Sequence, residues 1–313
     1  MKIYTKMTNS SLGLEHFMRE VGQIYEASKV SARPAHPQFM KLPSVMAQLL
    51  INGFPMELLD GDAGWIPIDW VTDVLTQVRT QLGRDPHVFV LSVLGVQSSG
   101  KSTLLNVMFG LQFSVSSARC TRGAFMQLLR IDDELKLGFD FLLVIDTEGL
   151  KAPELASLND SYEHDNELAT MVIGLSDVVI VNLGSESAEE MKDILQIVVH
   201  ALLRMTGAGK KPSCLFIHQK CGDVTAEEKN INAHRILLDQ LDEMTMAAAK
   251  MEHKDMYYTK FTDVIAHDMN KDSYFIPGLL SGSSTMAPRT RNDLALPSRA
   301  LWLYMEQAGQ AVN

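Results

Sequence analysis

The run Gly95-Val96-Gln97-Ser98-Ser99-Gly100-Lys101-Ser102 restricts the fold of this 313-residue chain more than any other segment. It fits the spacing G-x-x-x-x-G-K-[ST] and lies between the apolar stretch Val88 to Leu94 and the helix-forming stretch Lys101 to Phe109. A strand, a glycine-rich turn and a helix start in that order form a cradle for phosphate groups. The glycines let backbone N–H groups curl around the phosphates, and the exposed amides at the helix start favour anions. Lys101 is expected to reach the β- and γ-phosphates, and Ser102 to ligate Mg2+. Gly95, Ser98, Ser99, Gly100 and Thr103 complete the expected cradle. A purine nucleoside triphosphate with Mg2+ is therefore the predicted ligand.

Two segments downstream extend this reading. Phe141 to Ile145 is an apolar strand ending in Asp146, and Thr147-Glu148-Gly149 follows, which gives the pattern D-x-x-G. Asp146 is expected to hold the metal through its water shell. The Gly149 amide can sense a γ-phosphate and move the next segment. Between strand and phosphate loop lies Arg119-Cys120-Thr121-Arg122-Gly123, where Thr121 is the candidate for a second Mg2+ ligand; Ser116 and Ser117 compete locally. Glu148 could serve as a general base, but it is left out of the expected catalytic set. His164 and Asp165 read as a polar surface loop, since no nucleophile accompanies them.

From residue 88 onward, apolar strand patterns alternate with helices, which predicts a mostly parallel sheet. Ala124 to Ile131 and Phe139 to Ile145 flank the turn Asp132-Asp133-Glu134 and predict a hairpin, hence one antiparallel strand. Val178 to Leu183 and Cys214 to His218 complete the expected sheet. Ser187-Ala188-Glu189-Glu190 and Thr225-Ala226-Glu227-Glu228 read as capping boxes at two helix starts. The first 85 residues read as helices and loops (Leu12 to Ala27, Ser44 to Ile51, Ile68 to Leu82) packed beside the main domain. The expected architecture is thus an α/β three-layer domain over residues 86–280, after a helical segment 1–85 and before a linker and helix over 281–313. The nucleotide should lie at the carboxyl ends of the strands.

Composition excludes several classes. A net charge of −10 without a basic patch argues against nucleic acid. No stretch approaches the ~18 uninterrupted apolar residues of a membrane span, and the amino terminus lacks the apolar core of a signal peptide. A soluble intracellular chain is expected. Cys214, His218 and Cys221 stand close together, but no second ligand pair follows at zinc-finger spacing, so buried thiols along a strand are the better reading.

The three phosphate-site segments together resemble the dynamin-related large GTPases, and within them the G domain of the interferon-induced very large GTPases and the up-regulator of cell proliferation. Gly95 to Thr103 is similar to the dynamin-type phosphate loop, Cys120-Thr121-Arg122-Gly123 to the switch of guanylate-binding proteins, and Asp146 to Leu150 to their form of D-x-x-G. The resemblance implies GTP binding, GTP hydrolysis, a nucleotide-dependent homodimer, and an interferon-linked or proliferative setting in cytosol or nucleus. Members of that family are usually much longer than this sequence, which reads as a short homologue or an incomplete product, so filament or membrane-remodelling activity is not expected of it.

Two departures matter. Guanylate-binding proteins carry an arginine where this chain has Ser98, whereas the Gln-Ser pair of dynamins matches Gln97 and Ser98. The resemblance implies Gln97 as the residue that orients water and Ser98 as one that neutralises charge. The guanine-reading pattern N-K-x-D is replaced by Gln219-Lys220-Cys221-Gly222-Asp223, one residue longer between Lys and Asp. Asp223 could accept from guanine N1–H and the 2-amino group while Lys220 packs over the ring. Guanine over adenine rests mainly on the resemblance. A GTP-binding interaction module without turnover, and an ATPase, remain the alternatives.

Overall fold

A computed structural model describes residues 14–30, 37–61, 64–83, 85–97, 99–111, 113, 123–135, 137–150, 161–184, 188–207, 213–221, 227–251, 257–265 and 273–277. Its centre is a seven-stranded sheet in the order β1-β3-β4-β2-β5-β6-β7. The strands are β1 (Met56–Leu59), β2 (Val88–Gly95), β3 (Ala124–Arg130), β4 (Phe141–Thr147), β5 (Val178–Leu183), β6 (Ser213–Cys221) and β7 (Ser273–Pro277). β3 runs against both its neighbours, β1 and β4, while every other pairing is parallel. The expected hairpin is therefore present, with Ala124 opposite Thr147 and Arg130 opposite Phe141.

The helices are α1 (Leu14–Val30), α2 (Leu42–Ile51), α3 (Ile68–Leu82), α4 (Lys101–Phe109), α5 (Ser161–Leu175), α6 (Ala188–Gly207), α7 (Glu227–Met251) and the single turn α8 (Phe261–Val264). Every residue of β5 is buried, as a central parallel strand covered on both faces requires. Alternate side chains serve opposite cores. Val179, Val181 and Leu183 join a cluster with Ile194, Val198 and Leu202 of α6 and Leu241 of α7. Val178 and Ile180 join Leu104, Leu105 and Met108 of α4 on the other face. Helices thus cover both faces, and the three-layer α/β expectation holds. Gly110, at a φ of 68°, ends α4 in the left-handed conformation, which glycine adopts at little cost.

Three features differ from the sequence reading. The first 85 residues are more than helices and loops, because Met56–Leu59 adds an edge strand antiparallel to β3. Its sequence Met-Glu-Leu-Leu is short and has no β-branched residue, so propensity gives no strand signal; all four residues are nonetheless buried. The amino-terminal helices share the core of the sheet, since Met18, Tyr25, Met46 and Trp70 belong to the cluster that contains α6. At the other edge, β7 extends the sheet beyond β6. Residues 161–175, finally, are the helix α5.

The segments after residue 277, including the expected linker and helix over 281–313, lie outside the described residues. Among the described residues no helix is long and apolar enough to cross a membrane.

Candidate functional site

β2, β4, β5 and β6 run in the same direction, so their carboxyl ends share one edge of the sheet. Gly95, Asp146, Asn182 and Gln219 stand at or near those ends. Gly95 has a φ of 154°, and a Cβ there would sit 2.3 Å from the Asn182 carbonyl oxygen. Only a glycine lets β2 turn outward so close to β5. Gly100, at a φ of 87°, then turns the chain into α4, whose first residue is Lys101.

Lys101 is buried. Its Nζ donates to the carbonyl oxygens of Gly95 at 3.1 Å and Val96 at 2.9 Å, so the ammonium lies over the loop it belongs to. Ser102 Oγ donates to Asp146 Oδ2 at 2.6 Å, which joins the helix start to the acid of the D-x-x-G pattern. The turn after Asp146 is packed on the loop. Leu150 N donates to Gly95 O at 3.1 Å, and a Cβ on Gly149 would lie 2.0 Å from Gln97 Cα. Lys101, Ser102, Asp146, Gly149, Gln97, Gly95 and Gly100 are therefore brought together; Ser99 and Thr103 belong to the same turn and helix start. Ser98, Thr121 and Asp223 lie outside the described residues, and of Lys220 only the backbone, in β6, is described.

A serine hydroxyl beside a buried carboxylate is a set of hard oxygen donors, which suits Mg2+ with waters and phosphate oxygens filling the remaining positions. Among the described residues no group of three or more His, Cys, Asp or Glu could hold a metal by side chains alone. Cys214 is buried in β6, a small apolar residue of the core.

Beneath the loop lies a polar relay absent from the sequence reading. Asn182 Nδ2 donates to Ser99 Oγ at 2.9 Å and to Ser99 O at 3.2 Å, and Gln219 Nε2 donates to Asn182 Oδ1 at 2.6 Å. All three residues are buried. Gln219 also limits Gly100, where a Cβ would meet Gln219 Oε1 at 3.3 Å. The phosphate loop is thus held by the ends of β5 and β6.

Glu148, also buried, grips the start of β3. Its backbone N donates to Gly123 O at 2.7 Å, and its Oε2 accepts from Gly123 N at 2.8 Å. Its Oε1 meets Nε2 of His164, in the first turn of α5. The Glu148 hydrogen bond raises the His164 pKa above the ordinary imidazole value; burial opposes this, and the charges of Glu148, Asp165 and Glu167 add to the rise.

The family model described as "URGCP-like GTPase domain" matches residues 1–292. The chain belongs to this family. Interferon-induced very large GTPase 1 of Mus musculus is 48% identical over 288 residues, covering 91% of this chain and 12% of the relative. Up-regulator of cell proliferation of Homo sapiens is 38% identical over 284 residues, covering 88% of this chain and 30% of the relative. A shorter match, 35% over 130 residues and 39% of this chain, is to a protein SEY1 homolog of Babesia bovis, of which it covers 15%. The chain spans less than a third of the length of each of these relatives.

Within this URGCP-like GTPase domain, His164 and Asp165 are corrected from a surface loop to a helix that contacts the D-x-x-G turn; Asp165 is only 3% exposed. The polar run Glu163-His164-Asp165-Asn166-Glu167 disguises the helix start: Glu163 and Glu167 are exposed, but Asp165 and Asn166 are buried and His164 meets Glu148. Asn182 had a usable signal: a lone amide in the apolar strand Val178-Val179-Ile180-Val181 must find buried partners.

Two predictions arise here. Asn182→Ala leaves the Ser99 hydroxyl and the Gln219 amide short of a buried partner, so unfolding in urea should show a loss of about 1–3 kcal/mol. A loss well under ~0.5 kcal/mol, the usual range for exposed sites, would mean the relay contributes nothing. The second concerns pH. The folded pKa of His164 lies above its unfolded value, so its contribution is full below about pH 6.5 and is lost as pH rises through the folded pKa. The difference in Tm between the native chain and His164→Gln should therefore be larger at about pH 5.5 than at about pH 9. Equal differences at both would contradict the charged pair.

Proposed function

We propose that this GTPase domain is a nucleotide-controlled switch that binds GTP with Mg2+, hydrolyses it to GDP and phosphate, and changes its Asp146–Gly149 turn when the γ-phosphate leaves. The observation that carries the reading is the packing of Gly149 against Gln97: the turn that responds to the γ-phosphate touches the loop that would hold it. The Ser102 to Asp146 hydrogen bond supports the same reading, since these are the residues that would share the metal.

Lys101 neutralises charge on the β- and γ-phosphates, and the amides at the start of α4 bind their oxygens. Ser102 would hold Mg2+, Asp146 would support its water shell, and Thr121 is the candidate for a further ligand. When bound, Mg2+ supplies charge neutralisation at the β–γ bridge. Gln97 orients the water whose oxygen attacks the γ-phosphorus, while the bond to the β-phosphate oxygen breaks and GDP leaves. Ser98 adds charge stabilisation near the bridge. Lys220 and Asp223 read the guanine. Names of relatives such as interferon-induced very large GTPase 1 support GTP over ATP. A nucleotide-dependent homodimer and residence in cytosol or nucleus belong to the same proposal.

The test is an equilibrium titration with labelled GTP and ATP in Mg2+, followed by phosphate release and light scattering over time. GTP should bind at least about tenfold more tightly than ATP, a difference of about 1.4 kcal/mol. Phosphate should be released, and a GTP-dependent dimer should decay as it is. Tight GTP binding without release would reduce the domain to a binding module. Equal affinity for both nucleotides would remove Asp223 as a base reader.

A further inference from the structure

We propose that His164 is a positioning residue for GTP hydrolysis: through Glu148 it fixes the junction between the D-x-x-G turn and the start of β3. The inference rests on the GTPase reading above, and deepens it by assigning a helix outside the phosphate loop to the control of turnover.

Gly123 is the fixed point. It has a φ of 76°, and a Cβ on it would meet Leu59 O at 2.0 Å and Gly61 N at 2.6 Å. The end of β1 therefore blocks it on one side. On the other side Glu148 takes both its backbone groups, donating from N to Gly123 O and accepting Gly123 N–H at Oε2. In the chain, Gly123 follows the candidate metal ligand Thr121 by two residues. Glu148 in turn precedes Gly149, which is packed on Gln97 of the phosphate loop. One carboxylate thus joins two segments that respond to the nucleotide.

That carboxylate is buried and keeps its orientation only while both oxygens are engaged. A buried acceptor deprived of its donor is costly, and the side chain reorients toward any other donor or water. His164 engages the second oxygen. It is held there by α5, whose Leu168, Ala169, Val172 and Ile173 are packed in the same core as Ile194 and Val198 of α6. The imidazole is thus mounted on a rigid element, and the order of support runs from α5 through His164 and Glu148 to Gly123. Displacing reacting groups by about 1 Å costs up to about 100-fold in rate without any loss of the groups themselves.

Two readouts on the full chain separate this inference from the GTPase reading. The first is hydrogen exchange at the Gly123 amide without nucleotide, in the native chain, His164→Ala and His164→Gln. His164→Ala should exchange at least about tenfold faster there, while the glutamine variant, whose side-chain amide can still donate to Glu148, should stay near the native rate. The second is GTP hydrolysis with saturating Mg2+. In His164→Ala kcat should fall roughly 10- to 100-fold while KM changes less than about threefold, and His164→Gln should recover most of kcat. Unchanged exchange in His164→Ala would overturn the clamp, whether or not the native chain turns over GTP. Faster exchange with an unchanged kcat would overturn the positioning role. A native chain that does not hydrolyse GTP would overturn the GTPase reading and with it this role in turnover, while the exchange comparison still decides the clamp.

Discussion

Lys101→Ala should weaken GTP binding by at least about 100-fold, or about 2.7 kcal/mol, and leave the domain folded. The ammonium is buried over the phosphate loop, within hydrogen-bond distance of the carbonyl oxygens of Gly95 and Val96. From that position it would face the phosphates with little side-chain ordering left to do, so binding keeps most of the gain of a charge-assisted contact. Each such contact contributes about 1.5–3 kcal/mol when a buried charged group is involved. Stability, by contrast, should change by only about 1 kcal/mol, because deleting the ammonium also removes the cost of burying its charge, which offsets most of the loss of its bonds to the Gly95 and Val96 carbonyls. The check is a titration with labelled GTP alongside a thermal melt. Near-native affinity in a folded Lys101→Ala chain would remove the loop from phosphate binding and take the assignment of Ser102 and Asp146 with it.

The parts of the fold that were legible in the sequence are those in which local pattern and tertiary role agree. β2, α4, β5 and α6 have strong periodicity, and their bounds in the structure lie within a few residues of the readings. β1 was not legible because an edge strand is defined by its partner, whereas β7 carried a usable but unread signal in Tyr274-Phe275-Ile276. Met56–Leu59 becomes a strand by pairing with Ala124 to Met126, residues nearly 70 positions away, and nothing within the segment itself announces that. α5 was missed for the opposite reason. Its first turn is polar, and polarity reads as solvent exposure unless one knows that Glu148 awaits His164.

The candidate site divides along the same line. The phosphate-loop pattern and the D-x-x-G pattern are each contiguous in sequence, so Lys101, Ser102, Asp146 and Gly149 could be picked out as candidates from spacing alone. Their supports could not. Asn182 and Gln219 are separated by 37 residues, and Asn182 and Ser99 by 83; only the order of strands in the sheet brings them under one loop. From the sequence, the loop glycines let amides curl around phosphates and Gly149 offers an amide; the structure adds a stricter reason for Gly95 and Gly149, since each stands where another backbone occupies the space of a Cβ.

That reason gives the second large effect. In Gly149→Ala the new methyl group would lie 2.0 Å from Gln97 Cα, 2.2 Å from Gln97 N and 2.5 Å from Gln97 Cβ. Most of these are backbone atoms, so no rotamer change relieves the overlap, and either the turn or the phosphate loop must move. Both are fastened: the turn by Leu150 N to Gly95 O, the loop by Asn182 to Ser99. Overpacking of this kind costs about 1–3 kcal/mol and sometimes more, and the movement falls on the atoms that would bind the γ-phosphate and orient water. GTP turnover should therefore drop by about 100-fold, measured in a single-turnover assay beside urea unfolding. Gly110→Ala is the control. Gly110 has a left-handed φ of 68°, as Gly149 does not, and nothing lies within 4 Å of its Cβ position. It should lose about 1–2 kcal/mol of stability from the backbone conformation alone and keep its turnover. If both variants lost stability equally and turned GTP over at the native rate, the contact between turn and loop would have no part in hydrolysis. A loss of turnover confined to Gly149→Ala would tie the reaction to the close approach of these two backbones.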